Sequence, residues 1–203
     1  TGSGYPGESA GLVPGFQHWR PIGQATMSYG YGLSVTPLQL AQAYAVLGSG
    51  GLRRPVSMRK IDTPPPGERV LDDSVARELV RMMQSVVSED GTARRAGVVG
   101  YRVSGKTGTA WKASGGGYSR NRYMSVFGGV VPASNPRLAA VIVIDKPSGG
   151  HYYGGEVAAY INNAAVGVGR QSVDHAVDER RDPRGIQREI RVEPREGGAG
   201  LVV

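Results

Sequence analysis

The sequence predicts an α+β fold, and three observations carry the prediction. Helical spacing of apolar residues is confined to the part before Gly91, and spacing of period two follows from there to about Pro147. Glycine and proline, 32 and 13 of 203 residues, provide for many turns. Helices first and a meander of strands afterwards speak against the βαβ alternation of a parallel sheet. Residues 1–15, TGSGYPGESAGLVPG, read as loop. In SVTPLQLAQAYAVLGSGG, Thr36 is placed as N-cap, Pro37 as first helical residue and Gly48 as terminator, with Leu40, Ala41, Tyr44 and Leu47 as the apolar face. A second helix is expected in DDSVARELVRMMQSVVSEDG, between Asp72 or Asp73 and Gly91, burying Val75, Leu79, Met82, Met83, Val86 and Val87. VVGYRVSGKTGTAW, RYMSVFGGVVPA and RLAAVIVIDKP read as strands, the last two joined by the SNP turn at 134–136, with the glycines at 115–117 as a flexible connection.

A chain of 203 residues suits one domain with a sizeable core. The absence of cysteine excludes a disulfide scaffold, a thiolate zinc site and a cysteine nucleophile. His18 and His151 share no spacing with each other or with a carboxylate that would hold a metal, and His175 reads as solvent-exposed rather than a ligand, so neither metal nor cofactor is expected. The formal charge of +7 reads as a solvated basic surface, because the basic residues are scattered and form no block interleaved with aromatics; no nucleic-acid partner is expected. No apolar run approaches the ~20 residues of a membrane span and no leader stands at Thr1, so the chain is expected to be soluble or to have its anchor and signal outside it.

Residues 100–111, GYRVSGKTGTAW, carry two incompatible patterns. Gly100 to Thr107 satisfies GxxxxGK[ST], and LAAVIVID ending at Asp145 mimics the accompanying strand and acid, which together spell a nucleotide-binding protein. A P-loop needs a helix beginning at its lysine, so that backbone amides converge on phosphate. Here TGTAWKASGGGYS follows Lys106, too rich in glycine and serine for a helix, while Tyr101 to Ser104 suit a strand. The other pattern is Lys106-Thr107-Gly108 on a strand beside a serine nucleophile.

With the strand reading favoured, SGKTGTA at 104–110, SYGYGLSVTPLQLAQAYA at 28–45, RPVSMRKID at 54–62 and HYYGGEVAA at 151–159 together resemble the transpeptidase domain of class B penicillin-binding proteins, of the septal FtsI type, over about residues 1–159. That resemblance implies a β-lactamase/D,D-transpeptidase-like fold in which the KTG segment lies on an edge strand of a five-stranded antiparallel sheet. It implies a serine enzyme that attacks the D-Ala-D-Ala amide of peptidoglycan stem peptides, passes the acyl group to an amine on a neighbouring strand, and is acylated by β-lactams. By the same carry-over, Lys106 supplies positive charge near the nucleophile, and the hydroxyls of Thr107 and Thr109 hold the substrate carboxylate. Gly108 leaves room for substrate along the strand, the Thr109 amide forms one arm of an oxyanion hole, and Tyr123, Tyr152 and Tyr153 match an aromatic wall. Trp111 stands where the resemblance implies a basic residue. The implied setting is the periplasmic face of the inner membrane, with divisome membrane proteins as partners.

The resemblance also requires an SxxK and an SxN motif ahead of KTG. Ser57-Met-Arg-Lys60 fits the letters, but IDTPPPGE follows it and forbids the long helix that would set serine and lysine on one face. Ser119-Arg-Asn121 falls after KTG, on the wrong side of the order. The expectation is therefore that Thr1 begins downstream of both genuine motifs, that the missing N-terminal part of the same domain is a partner, and that the chain alone is inactive and unstable. Residues 160–203 contain no lysine, alternate arginine with acids, and read as an atypical tail, out-of-frame or disordered. A non-catalytic scaffolding remnant of the division machinery is the alternative function, and the nucleotide-binding protein a remote one.

Overall fold

The computed structural model describes residues 1–114, 117–147, 152–159 and 199–202. The atypical composition noted for the tail, together with His175 and His151, lies outside them, apart from residues 199–202. Two layers dominate: helices lie against one face of an antiparallel sheet, and turns and short helices lie against the other. Helix α1 spans Pro21–Met27 and α2 spans Pro37–Gly48. A two-residue ladder, β1 (Leu52–Arg53) with β2 (Glu68–Arg69), precedes α3 (Asp73–Met82). The main sheet contains β3 (Ser104–Ser114), β4 (Gly117–Val131), β5 (Leu138–Asp145) and β6 (Ala199–Val202), in that order, with every pair antiparallel.

The sequence logic of α2 is realised in full at its start. Thr36 and Gln39 form a reciprocal capping box, the threonine hydroxyl accepting from the Gln39 amide at 3.1 Å and the Gln39 side chain from the Thr36 amide at 2.8 Å. Pro37 follows at the first helical position, where a missing N–H costs nothing. At the other end Gly48 is the last helical residue rather than the stop. The chain turns at Gly50 and Gly51, whose φ values of 68° and 89° suit glycine. Ala41 and Val46 are the buried residues of this helix, with Tyr44 and Leu47 packed beside the core.

The second helix departs from expectation. It ends at Met82, and Met83–Val87 continue as a 3-10 turn, because the Val86 carbonyl accepts the Ala93 amide at 2.8 Å and draws the chain round Gly91. Its buried face is Ala76 and Val80; the expected core residues Val75, Leu79 and Met82 are exposed. The reason is contact geometry: the helix lies close enough for the Ser104 hydroxyl to donate to the Val80 carbonyl at 2.6 Å, an approach that suits small side chains. Met83, Val86 and Val87 do pack against the core.

The strands are longer than expected at one point and shorter at another. β4 begins at Gly117, so the end of the expected 115–117 connection, and the residues between it and the strand expected from Arg122, are part of a long hairpin with β3. Val98 to Val103, expected as strand, form a loop closed by the isolated Val98–Tyr101 bridge. The sheet has four strands among the described residues, where the resemblance implied five. Its fourth strand, Ala199–Val202, comes from the tail expected to be disordered, and adds to the edge of β5.

Register and burial assign the faces. Ser104, Val130 and Val141 share the face towards α2 and α3, where Val130 packs with Val80 and Tyr44; Phe127, Ala140 and Ile142 point the other way into a cluster with Ala93, Ala96, Val98, Ala158 and Ala159. The fully buried Phe127, Ile142, Val130 and Val141 thus hold both layers to a single sheet.

Candidate active site

Strand β3 lies at the edge of the sheet, with β4 as its only strand neighbour among the described residues. Along an extended chain successive side chains alternate faces, so Lys106 and Gly108 share the helix-covered face while Thr107, Thr109 and Trp111 share the opposite one. Lys106 is exposed, and its ammonium donates to the Thr107 carbonyl at 2.9 Å. That carbonyl is therefore directed to the open edge. By the alternation of an antiparallel ladder, the backbone groups of Thr109 face the same way. No helix follows Lys106, which removes the geometry that a P-loop requires.

The hydroxyl face is completed by a segment distant in sequence. The turn at 152–157 crosses β3 and β4, and the Gly154 amide donates to Thr109 Oγ1 at 3.1 Å. A Cβ on Gly154 would stand 2.5 Å from the carbonyl oxygens of both Gly108 and Val126, so only glycine permits this approach. The buried Ser125 hydroxyl donates to the Tyr152 carbonyl and fastens the beginning of the turn. Thr107 Oγ1 in turn lies 3.1 Å from Thr92 Oγ1. A Cβ at Gly108 would make only an ordinary 3.6 Å contact with Val126, so the chain's own packing places no demand for glycine there.

The three expected tyrosines are brought together. Tyr123 stacks on Tyr152 with centroids 4.2 Å apart and planes 16° from parallel. Tyr152 meets Tyr153 at 4.4 Å, and its hydroxyl donates to that of Tyr153 at 3.2 Å. This hydrogen bond and the neighbouring phenol push the Tyr152 hydroxyl up to about 12, so it stays protonated throughout the physiological range.

Chemically, this is an anion-receiving edge beside an aromatic row. Thr109 Oγ1 accepts a backbone N–H, and its own proton remains able to donate. A carboxylate, which only accepts, matches such a donor, with the Lys106 charge close by. Among the described residues no group of three or more histidines and carboxylates could hold a metal ion.

Of the other serine motifs, Ser57 lies on an exposed loop and its hydroxyl is bonded to the Arg59 carbonyl at 2.7 Å, with no helix carrying it and Lys60 together. Three contributors were not singled out in the sequence: Thr92, Ser125 and Gly154. Ser125 carried a faint signal, as a small polar residue within an otherwise apolar strand. Thr92 and Gly154 carried none, since their roles depend on contacts across 15 and 45 positions.

Comparisons with known proteins identify the family. The family model described as penicillin binding protein transpeptidase domain matches residues 1–167, past Ala159. The peptidoglycan D,D-transpeptidase FtsI of Escherichia coli is 49% identical over 167 residues, covering 82% of this chain and 28% of that protein. The probable peptidoglycan D,D-transpeptidase PenA of Neisseria meningitidis serogroup A is 47% identical over 156 residues, covering 77% and 27%. Among solved structures, the apo TP domain of Burkholderia pseudomallei penicillin-binding protein 3 superposes with a TM-score of 0.79 at 43% identity, covering 84% of this chain and 52% of that one. The chain thus spans under a third of the length of these curated relatives and about half of the solved domain.

Proposed function

The chain belongs to the penicillin-binding protein transpeptidase family, and from that premise we propose that it forms the carboxylate-recognising wall of a serine-type peptidoglycan D,D-transpeptidase acting at the division septum. The observation that carries the reading is the make-up of the β3 edge: Thr107 and Thr109 share one face, Thr109 Oγ1 accepts the Gly154 amide and keeps its own proton to donate, and the Lys106 ammonium lies next to Thr107. The free carboxylate of a D-Ala-D-Ala terminus, or of a β-lactam, is held by Thr107 and Thr109. The scissile carbonyl oxygen then meets the edge-facing Thr109 amide, where charge develops as the tetrahedral intermediate forms. Loss of such a donor typically costs about 2.7–4 kcal/mol of transition-state stabilisation. Lys106 lowers the energy of both anions, and the tyrosine row packs on the side group. Stem peptides and β-lactams are the ligands, the periplasmic face of the inner membrane is the setting, and membrane proteins of the division machinery are the partners.

In this reading the serine nucleophile is contributed by the part of the transpeptidase domain that these residues do not cover, so catalysis requires both parts. A fluorescent penicillin tests it. The 203-residue chain alone is expected to give no covalent adduct. When it is joined to the upstream part of its own domain, a serine ester is expected to form, and Thr109→Val is expected to slow acylation at least tenfold. An ester on Ser57 of the isolated chain, or acylation indifferent to Thr109→Val, would refute the assignment.

A further inference from the structure

The loop at 54–67, between β1 and β2, has no part in the carboxylate site, yet its first half is built to a pattern. Residues 53–60, RRPVSMRK, hold four cations and no acid. Arg53 is neutralised by Glu68 across the ladder, and Arg54 Nε donates to the Pro65 carbonyl at 3.3 Å. Arg59 and Lys60 are exposed and form no ion pair among the described residues. Between and beside them stand Met58, 62% exposed, and Ile61, 48% exposed. The base of the loop is pinned, since the Gln42 side chain of α2 donates to the Arg54 carbonyl at 2.8 Å and the Val56 amide to the Thr1 carbonyl at 3.2 Å. At the tip, the Ser57 hydroxyl donates to the Arg59 carbonyl at 2.7 Å and accepts the Arg59 amide at 3.1 Å. Three prolines, 64–66, fix φ on the return path. The tip is thus preformed, and little conformational freedom is left to lose on binding.

We propose that residues 54–61 are a docking finger for the surface of an anionic phospholipid bilayer. Met58 and Ile61 enter the boundary between headgroups and acyl chains, and Arg59 and Lys60 meet the lipid phosphates. Shape and charge together select this partner. A small ligand or a peptide is gripped in a concavity, and the cavity beside α2 is lined by the loop only as far as Val56, so residues 57–61 stand beyond it. A projecting tip that mixes aliphatic chains with cations matches a surface that yields to it and carries negative charge above an apolar interior. The cations' own methylene stems lie along that boundary while their charged ends stay with the phosphates. The proposal goes beyond the transpeptidase reading and stands on this loop alone.

The test titrates the 203-residue chain with vesicles of mixed phosphatidylglycerol and phosphatidylcholine, and with phosphatidylcholine alone, at low salt. The mixed vesicles are expected to bind and the neutral ones not to. Arg59→Gln with Lys60→Gln should weaken binding about 25-fold, about fivefold for each cation near the surface. Arg94→Gln with Arg102→Gln removes the same charge beside Ala93 and Val103 of the Phe127 cluster, across the sheet from α2, and should cost less than about threefold through screening. Met58→Ser with Ile61→Ser keeps every charge and should weaken binding at least about tenfold. All six side chains are exposed, so each variant is expected to melt with the parent. The chain has no cysteine, so Met58→Cys carries a single polarity-sensitive fluorophore, whose emission should shift to the blue on the mixed vesicles. Equal losses from the two charge-removed variants would assign binding to the overall charge and overturn the proposal. Binding indifferent to Met58 and Ile61, or an unshifted label, overturns it as well. Capture of polyglutamate through Arg59 and Lys60 without binding to vesicles would assign the finger to an acidic protein instead.

Discussion

The helix-covered face of the sheet and its tyrosine-bearing face share strands β3, β4 and β5, yet they solve different problems. On the first, Val130 meets Val80 and Tyr44, and the buried Ser104 hydroxyl is consumed internally by the Val80 carbonyl. On the second, Phe127 and Ile142 anchor a core at one end, and the same strands continue into Thr107, Thr109, Ser125 and Tyr123, whose polar atoms are directed at a turn and at the open edge. Lys106 shares the Ser104 face yet is exposed, so packing and recognition divide along the strand as well as between its faces: alternation sends neighbours to opposite faces, and burial decides which of them pack.

The largest expected effect tests whether the tyrosine face carries a true core. Phe127→Ala should destabilise the chain by about 3–5 kcal/mol, since a fully buried ring leaves a cavity in the Ala93 and Ile142 cluster. Urea unfolding reads this directly, and a loss below about 1 kcal/mol would mean that the helix face alone holds the sheet.

Next comes an alkaline transition belonging to the helix face. Burial pushes the Tyr44 phenol up to about 12 from its ordinary 10.0. A raised folded-state value keeps the native phenol protonated while the unfolded one ionises, so the contribution is complete below about pH 10 and lost as pH rises to about 12, on the order of 2 kcal/mol in all. Tyr44→Phe should flatten the fall in melting temperature across that window. A profile unchanged by the substitution would place Tyr44 in contact with water.

Ser104→Ala sharpens the contrast at smaller scale. It should cost about 0.5–1.5 kcal/mol, the net worth of one hydrogen bond, and leave dipeptide affinity untouched. Ser125→Ala, on the other face, should weaken dipeptide binding severalfold, because the Tyr152 carbonyl loses its tether and the Gly154 amide drifts from Thr109. If the two serines behaved alike in both assays, the separation of roles would fail.

The smallest effect lies at the rim. The hydrogen bond from Lys112, 2.6 Å away, holds the Asp145 carboxyl below its usual range. A depressed carboxyl contributes stability above its unfolded pKa and loses it as pH falls. With the aspartate open to solvent, Lys112→Ala should change stability at neutral pH by less than about 0.5 kcal/mol, and salt should erase the difference.

Much of this molecule was legible in one dimension. The start of α2 was fixed by Thr36, Pro37 and Gln39 acting within one turn, and the strand nature of Lys106-Thr107-Gly108 followed from the glycines and serines that bar a helix after it. Both depend on neighbours a few residues apart, and neighbouring residues are what a sequence displays; the tyrosines were named through the family resemblance instead. Which face of α3 turned inward did not follow from the spacing of large apolar residues, because the close approach of Ser104 favoured Ala76 and Val80 over Val75 and Leu79. Nor could spacing reveal that the Gly154 amide donates to Thr109, or that Tyr123 stacks on Tyr152. Donors, acceptors and rings act over a few ångströms, and only the folded chain decides which distant residues come within that range.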